Sequence, residues 1–200
     1  MALFSKKRKS ATHQARIHFA QPMPPQTRHG IEDGIVGELL PGIGATGKVV
    51  GGGTGLVDGE PFGADIELDI ETTDPGKVAG ALAAVNESNG AARGSYLEMD
   101  GVRFPFGVSE HVLLRMRLGE RELADPPMVV KALQAALGDG EIAWHDGTYY
   151  IESGPVLMFS GPDAAAILAA LRAEIARQPD LADAELVSVT AGAAEGPEAT

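Results

Sequence analysis

"GADIELDIE", residues 63–71, is the stretch whose reading decides the fold. Ile66, Leu68 and Ile70 alternate with Asp65, Glu67, Asp69 and Glu71. A period of two predicts a β-strand with one buried face. The other face then carries four carboxylates with no base among them. Like charges about 6 to 7 Å apart along a strand repel one another. Such a stripe needs water or a cation beside it.

Working outward from this strand, the same order of elements is expected twice. "ARIHFA" reads as a strand, with Ile17 and Phe19 on one face and Arg16 and His18 on the other. A helix follows, entered at Pro24–Pro25, with Ile31, Ile35, Leu39 and Leu40 at helical spacing and Pro41–Gly42 as its stop. "GKVVGGGTGLV" is a strand running into a glycine-rich bend. After 63–71 comes a helix capped by Asp74, with Pro75 at its first position and Asn89–Gly90 at its end. "SYLEM" closes the unit. In the second half, "EHVLLRMRL", a helix after Asp125, "EIAWH", "PVLMFS", a helix from "GPDAAAILAALRA" and "AELVSVT" repeat the order. "DG" and "SGP" are read as turns. An internal duplication of this kind decides the architecture. The expectation is an α+β protein of two tandem ferredoxin-like (βαββαβ) units, antiparallel sheets with helices on one face. The boundaries are 16–100 and 109–190, joined by a linker at 101–108. A disordered basic tail (1–15) and a disordered polar tail (191–200) flank them. Val112, Leu114 and Met116 should face the second core. His111, Leu113, Arg115 and Arg117 should face outward.

The charge is lopsided. The chain carries −12, and Lys6, Lys7, Arg8 and Lys9 place +4 in the first fifteen residues, so the remainder carries −16. A body that acidic repels phosphates and attracts basic proteins. No nucleic acid and no membrane is expected as a partner. The basic start has no apolar stretch behind it and is not read as a secretory signal. The absence of cysteine excludes disulfides, thiol nucleophiles and cysteine-bound metal. It suits a bacterial, cytoplasmic protein.

"GGGTG" at 51–55 invites a phosphate-loop reading, but a strand and not a helix follows it. A glycine bulge or wide hairpin is expected instead. Carboxylates on one strand face point in parallel and do not converge on an ion, so no metal and no cofactor is expected. His13, His18, His29, His111 and His145 show no metal-ligating spacing. Ser109, Glu110 and His111 are adjacent, and neighbours on a strand point to opposite faces, so they form no triad. No enzyme activity is expected. "WHDGTYY", 144–150, holds the only Trp and two of the three Tyr at an Asp–Gly hairpin. Trp144 is expected to pack on the helix "VVKALQAAL", and at least one of Tyr149 and Tyr150 must face outward.

At "VVGGGTGL", "GADIELDIE", "AARGSYLEM" and "PFG" (105–107) the chain resembles a bacterial family of small acidic proteins built as a duplicated ferredoxin-like unit. That family is similar to immunity-type proteins encoded beside secreted toxins. The resemblance implies an inhibitor of a basic protein toxin and supplies no catalytic residues. Partner-binding residues are then expected at Asp65, Glu67, Asp69, Glu71, Tyr149 and Tyr150. The alternative expectation is a small-molecule-sensing regulatory protein with its ligand between the two units. The oligomeric state is left open.

Overall fold

The computed structural model describes residues 9–57, 59–116 and 126–189. The expected terminal tails largely lie outside these residues, as do Asp125 and Arg117. The protein is a mixed α+β structure with two antiparallel sheets.

The first sheet runs in the order β2-β3-β1-β4-β5. Its strands are β1 (Ala11–Phe19), β2 (Thr46–Val57), β3 (Glu60–Thr72), β4 (Tyr96–Met99) and β5 (Val102–Pro105). Between β1 and β2 lies one continuous helical run: α1 (Pro25–Gly34), a π-helical turn (Ile35–Leu39) and α2 (Leu40–Gly42). α3 (Pro75–Ser88) joins β3 to β4. The second sheet runs β7-β8-β6-β9. It is built from β6 (Glu110–Arg115), β7 (Trp144–Ile151), β8 (Gly154–Gly161) and β9 (Glu185–Val189), with α4 (Pro126–Ala136) and α5 (Ala164–Ile175) as connections.

Alternation places the cores. Ile17, Phe19, Ile66, Leu68, Ile70 and Leu97 leave the first sheet on one face and are buried with Leu82 of α3 and with Ile35 and Leu40. Val112, Leu114, Leu157 and Phe159 do the same in the second sheet, in one core with Leu133, Leu137, Ile167 and Leu171. The two equivalent helices start alike. Asp74 accepts the Lys77 backbone N–H at 3.1 Å, and Asp163 accepts those of Ala165 and Ala166 at 2.8 and 3.3 Å. Each cap satisfies donors that the first helical turn leaves free.

Three expectations change. β1 begins at Ala11, so residues 11–15 belong to the sheet and not to a tail. Residues 102–105, expected in the linker, form β5 and pair with β4 in the register Tyr96↔Pro105 to Met99↔Val102. "DG" at 146–147 is no turn. The ladder slips between His145 and Gly147, leaving Asp146 as a bulge inside β7, and the hairpin closes at Glu152–Ser153.

The glycine-rich stretch is a bulged strand, as expected. The β2–β3 register shifts between Val49 and Gly51. At Gly52, with φ +128°, a Cβ would stand 2.4 Å from the Asp65 carbonyl oxygen. Only glycine lets the backbone approach the acidic strand so closely.

Candidate functional site

Two regions carry the polar chemistry: the open face of the first sheet, and a corner where the two units meet.

On the open face, the four stripe carboxylates do not share one fate. Asp65 receives a two-pronged contact from Arg16, through Nε at 3.0 Å and Nη2 at 2.9 Å. His18 Nδ1 lies 3.0 Å from the same carboxylate. Burial opposes ionisation there, but the hydrogen bonds and charges of His18 and Arg16 outweigh it and hold Asp65 down at about 2. His18 in turn stacks on Tyr96 at 4.9 Å, and the Arg103 guanidinium lies over the same ring, 3.8 Å from its centroid. Asp69 sits 3.5 Å from Lys48. Glu67 and Glu71 are exposed, and neither forms an ion pair among the described residues. Glu98 of β4 meets Arg103 at 3.7 Å. Between Arg16, Glu67, Asp69, Glu98 and Asp100 the surface dips into a depression of about 420 Å³.

Asp65 gives a pH prediction. Its folded value lies below its ordinary 3.8, so its contribution is complete above about pH 4 and is lost as the pH falls toward 2. The pair is partly solvated, so Asp65→Asn should cost about 1 kcal/mol at neutral pH. Urea denaturation of both proteins should show the two stabilities converging between about pH 4 and 2.

The second sheet's outward face differs. Leu113, Tyr149, Val156 and Met158 form a buried apolar cluster there. Tyr149 is only 7% exposed, and Tyr150 is 80% exposed. Tyr149, expected as a partner-binding residue, is thus buried and not on the surface, whereas Tyr150 is exposed. The Tyr149 hydroxyl is buried without a hydrogen-bond partner, and burial pushes it up to about 12. Beside it, Arg115 Nη2 donates to Glu60 of the first unit at 2.6 Å. Arg115 therefore bridges the units through the tip of the β2–β3 hairpin and not through the stripe.

The corner between the units was not read from the sequence. The loop after α3 returns along residues 106–109: Arg93 N–H donates to Ser109 O at 2.9 Å, and Ser109 N–H to Ala91 O at 3.3 Å. His111, 3% exposed, has Nε2 at 3.1 Å from Gly90 O. Burial lowers the His111 value, partly opposed by that carbonyl. The bulge aims Asp146 at the same place. Ser160 Oγ donates to Asp146 Oδ1 at 2.8 Å, while His111 Nδ1 stands 3.6 Å from Oδ2. Burial raises Asp146 to about 6, against the Ser160 hydrogen bond. The acid lies between Ser160 and His111, so the imidazole does not contact the serine hydroxyl as it would in a Ser–His–Asp triad. Trp144 lies here too. It is 62% exposed, with its ring over Gly140, which corrects the expectation that it packs on α4. Among the described residues no three His, Asp or Glu side chains are grouped to hold a metal ion, and no helix is long and apolar enough to cross a membrane.

The chain matches no protein-family profile and no curated protein. Among solved structures it is similar to a protein of unknown function from Galdieria sulphuraria, at 12% identity and a TM-score of 0.28, covering 90% of this chain and 98% of that one. It is also similar to the regulatory subunit of aspartate kinase from Thermus flavus, at 16% identity and 0.27, covering 83% and 96%. The ligand-free subunit from Thermus thermophilus gives 15% and 0.25, covering 82% and 93%. Likenesses this distant say nothing about a ligand or partner.

Proposed function

We propose that the chain is a non-catalytic binding protein, two ferredoxin-like βαββαβ units in tandem, that docks a basic protein partner on the open face of its first sheet in the manner of an immunity-type inhibitor. One observation carries this reading: the charge surplus on that face. Among the described residues, Asp65, Glu67, Asp69, Glu71, Glu98 and Asp100 stand against the lysine and arginines Arg16, Lys48 and Arg103, with His18 beside Asp65 and His13 beside Asp100. Glu67 and Glu71 have no cation of their own among the described residues. Their desolvation would be repaid by a partner's lysine or arginine, and the depression beside Glu67 gives such a side chain a seat. Tyr150 lies on the other unit and would serve as an aromatic anchor only for a partner wide enough to reach it.

The test separates site from net charge. Binding of an oligolysine peptide is followed by biolayer interferometry at several salt concentrations. Glu67→Lys with Asp69→Lys should weaken it about tenfold or more and flatten its salt dependence. Glu152→Lys with Asp180→Lys changes the net charge equally, at exposed positions elsewhere, and should do little. Equal losses in both pairs would reduce the acidic face to a solubility device.

A further inference from the structure

The corner between the units holds an arrangement that the acidic face does not explain. A pocket of about 480 Å³ opens there, lined by Glu87, Asn89 and Gly90 of the first unit and by Trp144, Asp146 and Ser160 of the second. No lysine or arginine lines it. The hydrogen bonds assign the rest. With His111 neutral and its Nε2 proton given to the Gly90 carbonyl, Nδ1 presents a lone pair toward Asp146 Oδ2 across 3.6 Å. That distance is too long for a hydrogen bond, and both atoms are acceptors when Asp146 is ionised. Among the described residues, Asp146 receives one hydroxyl hydrogen bond, from Ser160, and pairs with no lysine or arginine. The large exposed surface beside it is an indole resting on a glycine. The corner thus holds a carboxylate with no lysine or arginine in its lining and is walled by an aromatic side chain.

We propose that this corner binds a compact organic ammonium ion between the Trp144 ring and the Asp146 carboxylate. The ring's negative face attracts a cation at close range, and the effect grows where water is displaced. The carboxylate, with 30% of its side chain exposed, is open to a ligand and supplies the opposite charge. A neutral ligand of the same shape gains neither contribution. Elements of both units form the walls, so the ligand would also hold the units together. This site stands on observations separate from those behind the basic-partner reading.

Trp144 is the only tryptophan of the chain, so intrinsic fluorescence of the full-length protein reports on the site directly. Choline is titrated at about pH 8, where Asp146 is ionised. A saturable change is expected. The uncharged carbon analogue of choline, 3,3-dimethylbutan-1-ol, should bind about tenfold more weakly or worse. Asp146→Asn should weaken choline by about tenfold, while Glu67→Lys with Asp69→Lys should leave the titration unmoved. If Asp146→Asn fails to fold by circular dichroism, the exposed Trp144→Leu, read by calorimetry, decides the same question. The proposal is overturned by an absent choline response, by equal binding of the neutral analogue, or by choline binding that survives either variant.

Discussion

Replacing Gly107 by alanine is expected to destabilise the protein by about 2 to 5 kcal/mol, combining backbone strain with overpacking. Gly107 has φ +87°, a left-handed conformation that a β-carbon disfavours. The space is also taken. A Cβ built there would stand 2.2 Å from the Ala92 carbonyl oxygen and 2.8 Å from that of Ala91. Both obstacles are backbone, so no side-chain rotation relieves them. Those carbonyls belong to the loop that the 106–109 segment runs along, and Ser109 N–H donates to one of them. The substitution should therefore damage the junction of the units as well as overall stability. Denaturant titration measures the loss. The tryptophan emission should shift in the same variant, because Trp144 and Ser109 line one pocket. A Gly107→Ala protein with unchanged midpoint would mean that the two segments separate without cost.

The second large effect contrasts two neighbours on β3. Leu68→Ala should cost about 2 to 5 kcal/mol, the range for truncating a buried leucine. Glu67→Lys should move stability by less than about 0.5 kcal/mol. Leu68 is 1% exposed in the first core, whereas Glu67 is exposed on the opposite face. Its cross-strand partner on β2 is Gly51, which sets no side chain against it. Chemical denaturation of the two variants checks the pair. A large loss in Glu67→Lys would place the stripe among buried, paired groups and remove the ground for a docking face.

Which parts of this were legible in the chain follows from how far each signal reaches. Strand alternation is local, so "GADIELDIE" was enough to place Ile66, Leu68 and Ile70 inside and the carboxylates outside. Caps are local as well: Asp74 needs only the N–H three residues on. The bulge in "GGGTG" was legible because a run of glycines followed by a strand leaves few alternatives.

Other features needed tertiary structure, because they depend on register and on contacts between residues far apart in sequence. Alternation required Tyr149 and Tyr150 to point to opposite faces, but not that the outward face of the second sheet would be buried at Leu113, Tyr149 and Met158. "DG" has the composition of a turn, and only pairing with β8 made it a bulge that turns Asp146 toward Ser160. Arg115 finds Glu60 across 55 positions, and His111 finds Gly90 across 21. The sequence by itself determined the alternation, the caps and the charge of this protein, since each follows from neighbours along the chain. Which carboxylates are neutralised, which aromatics are exposed, and the corner that joins the units were decided by the tertiary structure, since folding alone brings distant side chains within hydrogen-bonding range.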